Sequence, residues 1–375
     1  MMIEKKWSQY NDGVYQVGNE VFYSKVQALE YSSRTGEQVH YHFFDDVWDS
    51  LDWETEPVNS LDELYIQRAQ QLRDKYDYLV LTLSGGSDST NMVKTFLKAG
   101  IRPDEVISYG VINKIIGKNS TTNIEITQAA SKTVKLLEEA SIPWRFLNAW
   151  DYIKHINLTD EFYRNVDNRL SPDNLILGPA FANDPNLQTQ AERGKKVGVI
   201  VGKEKPRLHV VDGYFVGTFL DMNLQSSAYA ESRINYVFDK FYSTPSMPEI
   251  TLKQMHVLIR HFRNNVPNFD KFLTHTGGFD ASKYYNIIQD IIYPEWQNKD
   301  YFTLGKASST MLEPKYKFVW DKMPDWDVTK QYKHLLRNLR SSLNEKYIQK
   351  DANLPFNQAF KLPGFYNKFY KICKV

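Results

Sequence analysis

The six residues "YLVLTL", Tyr78 to Leu83, carry no charge and run straight into seven small or polar ones, Ser84 to Thr90, "SGGSDST". An unbroken apolar run of this length fits a strand covered on both faces, which belongs to a parallel sheet. The stretch from Asp88 to Lys98 has helical spacing, so the small residues occupy a strand-to-helix corner. A surface turn would also be rich in glycine and serine. The flanks argue against that reading, because ligands of open parallel sheets sit beyond the carboxyl ends of the strands, where such corners lie.

The alternation recurs along the chain. Ser60 and Glu63 carry a capping-box signature ahead of a helix. "DEVISYGV" reads as a strand, 123–140 as a helix, and "WRFLNAW" as a strand before a polar helical stretch. Asp184-Pro185 to Arg193 reads as a helix with Pro in its first turn and Gly194 past its end. "VGVIVG" and "HVVDGYFVGTF" complete the strands. Residues 59–222 are therefore expected to form an α/β domain, doubly wound, with a mainly parallel sheet of about five strands. Residues 1–58 read as a small α+β unit, with a hairpin turn at Gly18-Asn19, a helix ending at Gly36, and a strand "QVHYHFF". Residues 223–375 turn helical and aromatic, as in "MPEITLKQMHVLIRHF", with Pro248 in the first turn.

At the corner, glycines let backbone N–H groups come close to an anion, and the helix aims its positive end at the same point. Serine and threonine hydroxyls add donors, and Asp88 offers a hard oxygen to the Mg²⁺ that accompanies a nucleotide. A Walker loop is excluded. In "GVIVGKEK", Gly198 and Gly202 stand one residue too close, and Glu204 replaces the hydroxyl. No Gly-x-Gly-x-x-Gly occurs either. Forty-six basic against 45 acidic residues leave a net charge of +1, so no global field attracts nucleic acid. One cysteine, Cys373, rules out an internal disulfide and a multi-cysteine zinc site. His40 with His42, and His256 with His261, lack the partners or the spacing of a metal pair. The start has no signal-like apolar core and no run is long enough to span a bilayer, so a cytoplasmic protein without membrane partners is expected.

The hexapeptide Ser84, Gly85, Gly86, Ser87, Asp88, Ser89 resembles the Ser-Gly-Gly-x-Asp-Ser loop of the N-type ATP pyrophosphatases, the PP-loop superfamily. The resemblance covers roughly Ser60 to Asp221, and the whole chain resembles asparagine-synthetase-like proteins of large tailed bacteriophages. It implies an adenine nucleotide alpha-hydrolase-like fold and the use of ATP and Mg²⁺. It also implies adenylation of a carboxylate or carbonyl oxygen with release of pyrophosphate, then displacement of AMP by a nucleophile. Met2 stands where the glutaminase of asparagine synthetase has its cysteine, so ammonia would come from a separate source. The cysteines of sulfur-transferring relatives and the lysidine-synthetase motif are absent, which favours ammonia or an amine as nucleophile.

Other loops supply further candidates. Lys203, Lys205 and Arg207 follow "VGVIVG", whose carboxyl end should open on the same crevice; they either grip phosphate or form a solvated basic turn. Asp184 is a helix N-cap, or else a ligand for a second Mg²⁺ or a substrate amine. Tyr109 and Gly110 end a strand where the resembled fold receives adenine, and Tyr109 could equally be core. "FKLPGFYNKFYKICKV" interleaves aromatics with lysines, as single-strand binders do and as packed helix faces also do. Three functions stay open: an AMP-forming ligase or amidotransferase, a tRNA- or DNA-modifying enzyme, and a non-catalytic nucleotide-binding module.

Overall fold

The computed structural model describes residues 7, 13–110, 112–114, 130–148, 150–153, 180–181, 183–202, 205–221, 236–274, 281–296 and 364–375. At the start, β1 (Val14–Val17) lies between β2 (Glu20–Phe22) and β3 (Val39–His42), antiparallel to both. The expected Gly18-Asn19 turn joins β1 to β2, with Gly18 at φ 58°, a conformation that favours glycine at the first position of a type II′ turn. Helix α1 (Lys25–Thr35) starts on the Ser24 side chain and stops at Gly36, and the short α2 (Asp45–Trp48) follows β3.

Helix α3 (Leu61–Lys75) begins with the reciprocal Ser60–Glu63 capping box. It leads into β4 (Tyr78–Thr82), α4 (Ser87–Lys98), β5 (Glu105–Gly110), α5 (Ala130–Glu139), β6 (Trp144–Asn148) and α6 (Trp150–Ile153). Helix α7 (Pro185–Glu192) then precedes β7 (Val197–Val201), in which every residue is buried. The amino-terminal part of the helix expected over 123–140 lies outside the described residues.

The central sheet has five parallel strands in the order β10-β7-β4-β5-β6. The chain enters at β4 in the middle, winds outward to β5 and β6, and then returns to the other side of β4 for β7. The winding direction therefore reverses between β4 and β7, which is where open sheets of this kind leave a crevice. The architecture is α/β and doubly wound, as expected.

Two strand expectations need correction. "HVVDGYFVGTF" does not join the parallel sheet. It folds as an antiparallel hairpin, β8 (Arg207–Val211) and β9 (Tyr214–Thr218). Its turn residues Asp212 and Gly213 have φ 50° and 75°, the paired positive values of a type I′ turn that sends the chain straight back. The fifth parallel strand is β10 (Tyr236–Lys240), which lies beyond residue 222, where the helical region was expected to begin. That region contains α8 (Glu249–Asn265), α9 (Phe269–Phe272) and α10 (Ala281–Ile292), and it also supplies β11 (Tyr370–Lys374), antiparallel to β9.

One apolar cluster runs from Tyr15 to Ile372, so the amino-terminal unit shares its core with the rest of the chain. Trp53 stacks on Tyr370 with ring centroids 4.6 Å apart, and Phe219 meets Phe43 at 4.8 Å. Asn367 ties the same parts together through polar atoms. It donates to Asp45 Oδ1 at 3.0 Å and accepts from the Phe219 N–H at 2.8 Å. The basic, aromatic carboxyl-terminal stretch thus spends Tyr370 on packing.

Strand β10 is held at the sheet edge by charge. Asp239 accepts hydrogen bonds from Arg68 Nη2 at 2.9 Å, Lys75 Nζ at 2.8 Å and the Tyr76 hydroxyl at 2.9 Å. Arg68 is fully buried. Burial alone would raise the Asp239 pKa; Arg68 and Lys75 outweigh it and hold the carboxyl below its ordinary 3.8. The Tyr76 ring covers β7, where a Cβ on Gly198 would fall 2.4 Å from it. Replacing Asp239 with Asn leaves the Arg68 charge buried and poorly matched, and should cost about 3 kcal/mol in urea unfolding. A depressed carboxyl stabilises the fold above its unfolded pKa and loses that contribution as pH falls through the folded value. The gap between wild type and Asp239→Asn should therefore narrow as pH drops below 3.8. A gap that is small at neutral pH, or that does not narrow in acid, would show that this pairing does not hold the edge.

Candidate functional site

The corner after β4 is built from its own hydroxyls. Ser89 Oγ accepts from the Ser84 N–H at 3.1 Å and lies 3.0 Å from Ser84 Oγ. Ser84 Oγ also accepts from the Gly86 N–H at 3.3 Å. Gly85 has φ 76°, so a side chain there would be strained. Gly86 is the N-cap of α4, with no side-chain cap bond. The first N–H groups of a helix have no partner inside it. Here the N-cap is a glycine with no side chain to offer them, and the helix dipole favours an anion at the same end.

Below the corner the strands are tied across. Thr82 Oγ1 donates to the Ile200 carbonyl at 3.0 Å, and Ser108 Oγ to the Leu83 carbonyl at 2.7 Å. Strand β7 reaches the corner as expected. A Cβ on Gly202 would stand 2.9 Å from the carbonyl carbon and oxygen of Asp88, so only glycine lets the two backbones approach this closely.

Lys205 and Asp88 meet directly, Nζ to Oδ1 at 2.6 Å, with the lysine side chain 14% exposed and the aspartate 28%. Ser87 Oγ lies 3.3 Å from the same Asp88 oxygen. Asp88 and Ser87 thus offer hard oxygens suited to Mg²⁺, and the lysine ammonium stands where a cation would. Lys203 lies outside the described residues. Arg207 is not at a solvated turn: it is buried at the start of β8, and its Nη1 reaches the Tyr366 hydroxyl at 3.3 Å. Thr90 is fully buried. Tyr109 and Gly110 end β5 half-buried, at the same carboxyl edge of the sheet, and the Tyr109 ring meets Phe181 edge-on at 5.9 Å.

The structure does not bring Asp184 to this place. Its carboxylate caps α7, accepting from the N–H groups of Asn186 and Leu187 at 3.1 Å. Arg145 grips it with two further bonds, at 2.6 and 2.8 Å, and also binds Glu105. Burial would lower the Arg145 pKa, but Glu105 and Asp184 outweigh it and raise it above the ordinary arginine value. Glu105 opens β5, and Asn186 bonds to the hydroxyl of Tyr78, which opens β4. Asp184 therefore sits at the amino ends of the strands, roughly 15–20 Å from the corner. Of its two readings, the helix cap is the one the fold uses.

Two tyrosines that the sequence did not single out complete the site. Tyr242, just past β10, donates to the Asp88 carbonyl at 2.9 Å and accepts from Asn91 Nδ2 at 3.0 Å. Tyr293, just past α10, packs against Tyr242 with ring centroids 5.1 Å apart and lies 5.3 Å from the Lys205 ammonium. Burial, then the charge of Asp88 and the neighbouring phenols, push the pKa of Tyr293 well above the ordinary value. For Tyr242 the causes are burial, Tyr65 and Asp88. Both stay neutral donors. The Tyr293 hydroxyl is buried without a hydrogen bond of regular geometry among the described residues, although it is close enough to feel the Asp88 carboxylate. Asn91 also accepts from the Glu295 N–H at 3.1 Å, which fixes the Tyr293 segment to α4.

Among the described residues, no group of three or more His, Cys, Asp or Glu could hold a metal ion, and no helix is long and apolar enough to cross a membrane. No family model matches the chain. No curated protein matches it in sequence, so the likeness to asparagine-synthetase-like phage proteins gains no support there. Among solved structures, the U34-tRNA thiolase NcsA from Methanococcus maripaludis with its 4Fe-4S cluster aligns at 14% identity. The alignment covers 71% of this chain and 80% of that one, with a TM-score of 0.26. An overlap at that score does not bear on the site.

Tyr242→Phe removes one donor and one acceptor at once, taking the phenol bond from the Asp88 carbonyl and the acceptor from Asn91 Nδ2. Two buried hydrogen bonds so lost should cost about 2 kcal/mol in denaturant unfolding. A loss below about 0.5 kcal/mol would mean that this tyrosine does not secure the head of α4.

Proposed function

We propose that this chain is a PP-loop ATP pyrophosphatase that joins an acceptor to a nitrogen nucleophile at the cost of ATP. The single observation that carries the reading is the placement of the six-residue match. Ser84 to Ser89 stand at the switch point of a parallel five-stranded sheet, at the head of a helix without a side-chain cap.

In this reading the β- and γ-phosphates of ATP lie on the first-turn N–H groups of α4. A carboxylate or carbonyl oxygen of the acceptor attacks the α-phosphorus. The bond to the α–β bridging oxygen breaks, and pyrophosphate leaves with both electrons. Charge grows on the leaving group where preorganised N–H groups and Lys205 face it. Asp88, with Ser87 beside it, would hold a Mg²⁺ ion, which would supply charge neutralisation to the departing pyrophosphate. Ammonia or an amine then attacks the adenylated carbon, a proton is lost, and AMP leaves.

The choice of nitrogen rests on the cysteine count. The one cysteine, Cys373, lies in β11 beside Arg263, in the sheet that β8 and β9 form. It gives no support to a sulfur relay, and one cysteine cannot supply the thiolate set of an iron–sulfur cluster. A small acceptor is preferred to nucleic acid because two of the carboxyl-terminal aromatics are engaged with the body of the protein, Tyr370 on Trp53 and Tyr366 beside Arg207.

Chromatography of ATP incubated with the protein, Mg²⁺, ammonia and a pool of small carboxylic acids tests the class of reaction. AMP and pyrophosphate are the expected products; ADP with orthophosphate would contradict it, and ATP binding without any product would leave a non-catalytic module. Asp88→Asn should abolish pyrophosphate release. Because Asp88 and Lys205 are partly exposed, the same change should move the melting temperature by no more than about 2 °C.

A further inference from the structure

Asp88 already carries a cation, and that cation belongs to the protein. Lys205 Nζ lies 2.6 Å from Asp88 Oδ1, on an oxygen that a hard divalent ion would need. The lysine is not a freely waving surface group. It sits two residues ahead of β8, whose Leu208 N–H is fixed by the Tyr284 hydroxyl at 3.0 Å. The Tyr293 ring, itself fully buried, lies 5.3 Å from the ammonium.

A divalent ion placed on Asp88 Oδ1 would stand about 4 Å from the ammonium already there, and like charges at that range in a partly buried site repel strongly. Something has to move when the metal arrives. Asp88 is fixed through its backbone, by Tyr242 on its carbonyl and Gly202 against it, whereas the long lysine side chain can turn.

Resting on the phosphate-loop reading of this crevice, we propose that Lys205 is the resident counter-ion of Asp88 in the empty site, and that a divalent cation binds Asp88 only by displacing it. The displaced ammonium is then a point charge on a flexible stem, at hand for the incoming phosphates. One lysine thus serves two states. It keeps the carboxylate neutralised while the site is empty, and it turns to the phosphates once the metal has taken its place.

The test uses Mn²⁺ alone, without nucleotide, titrated into the full chain by calorimetry. The proteins are wild type, Lys205→Met, Lys205→Gln, Asp88→Asn and the double variant Lys205→Met with Asp88→Asn. Both single lysine variants should bind Mn²⁺ about tenfold or more tightly than wild type. Asp88→Asn should bind weakly, with or without the lysine. Equal Mn²⁺ affinity in wild type and in either folded lysine variant would overturn the proposal, and so would a gain that survives Asp88→Asn. Circular dichroism of each variant confirms that the comparison is made on folded protein, and Lys205→Gln keeps a polar side chain where Met is not tolerated. Binding of ATP to wild type with Mg²⁺ present is followed separately. Its absence would defeat the phosphate-loop reading and leave the cation result untouched, whereas ATP binding with no Mn²⁺ competition would defeat the counter-ion alone.

Discussion

Parallel pairing of β4 with β7 is the interaction on which the crevice depends. Four residue pairs, Tyr78–Leu81 with Val197–Ile200, set the register, and the Thr82 hydroxyl adds a bond to the Ile200 carbonyl. That register carries Gly202 to the backbone of Asp88 and leaves no room for a Cβ between them. The head of α4 is then fixed from below by β7 and from the side by Tyr242. The chain reaches β7 only after winding out through β5 and β6, so the two strands that shape the crevice are distant in sequence. Their carboxyl ends open together because the winding reverses between them.

Around this point the protein separates polar work by location. At the carboxyl edge the described groups are a helix start whose N-cap is glycine, the Asp88–Lys205 ion pair, and a buried tyrosine hydroxyl without a regular bond. At the amino edge the opposite holds. Arg145, Glu105, Asp184, Asn186 and Tyr78 form a closed network. A buried hydroxyl without a regular bond is costly inside a fold, so the Tyr293 hydroxyl beside Asp88 is a physical reason to place ligand binding there.

Much of the central fold was legible because its signals are local. The apolar runs of β4 and β7, the Ser60–Glu63 box and Pro185 after Asp184 each act within a few residues. The Asp212-Gly213 turn was also local, a strong hairpin signal lying inside what read as one continuous strand. β10 was harder. It is a five-residue edge strand containing Asp239 and Lys240, and Asp239 makes sense only beside Arg68, 171 residues away. The site divides in the same way. Ser84 to Ser89 announce themselves in sequence, whereas Tyr242 and Tyr293 do not, since nothing near either residue distinguishes it from the other aromatics of a 14% aromatic chain. Only the packing of Tyr242 and the Tyr293 segment against Asn91 gives them a role.

The central claim is that the first turn of α4 is built to receive phosphate oxygens. A crystal of the protein grown with magnesium pyrophosphate tests it most directly. The account predicts pyrophosphate at the corner, its oxygens within about 3 Å of the N–H groups of Ser87, Asp88 and Ser89, and Lys205 turned from Asp88 toward the anion. Pyrophosphate bound elsewhere, or an α4 head that stays empty at saturating concentration, would contradict it.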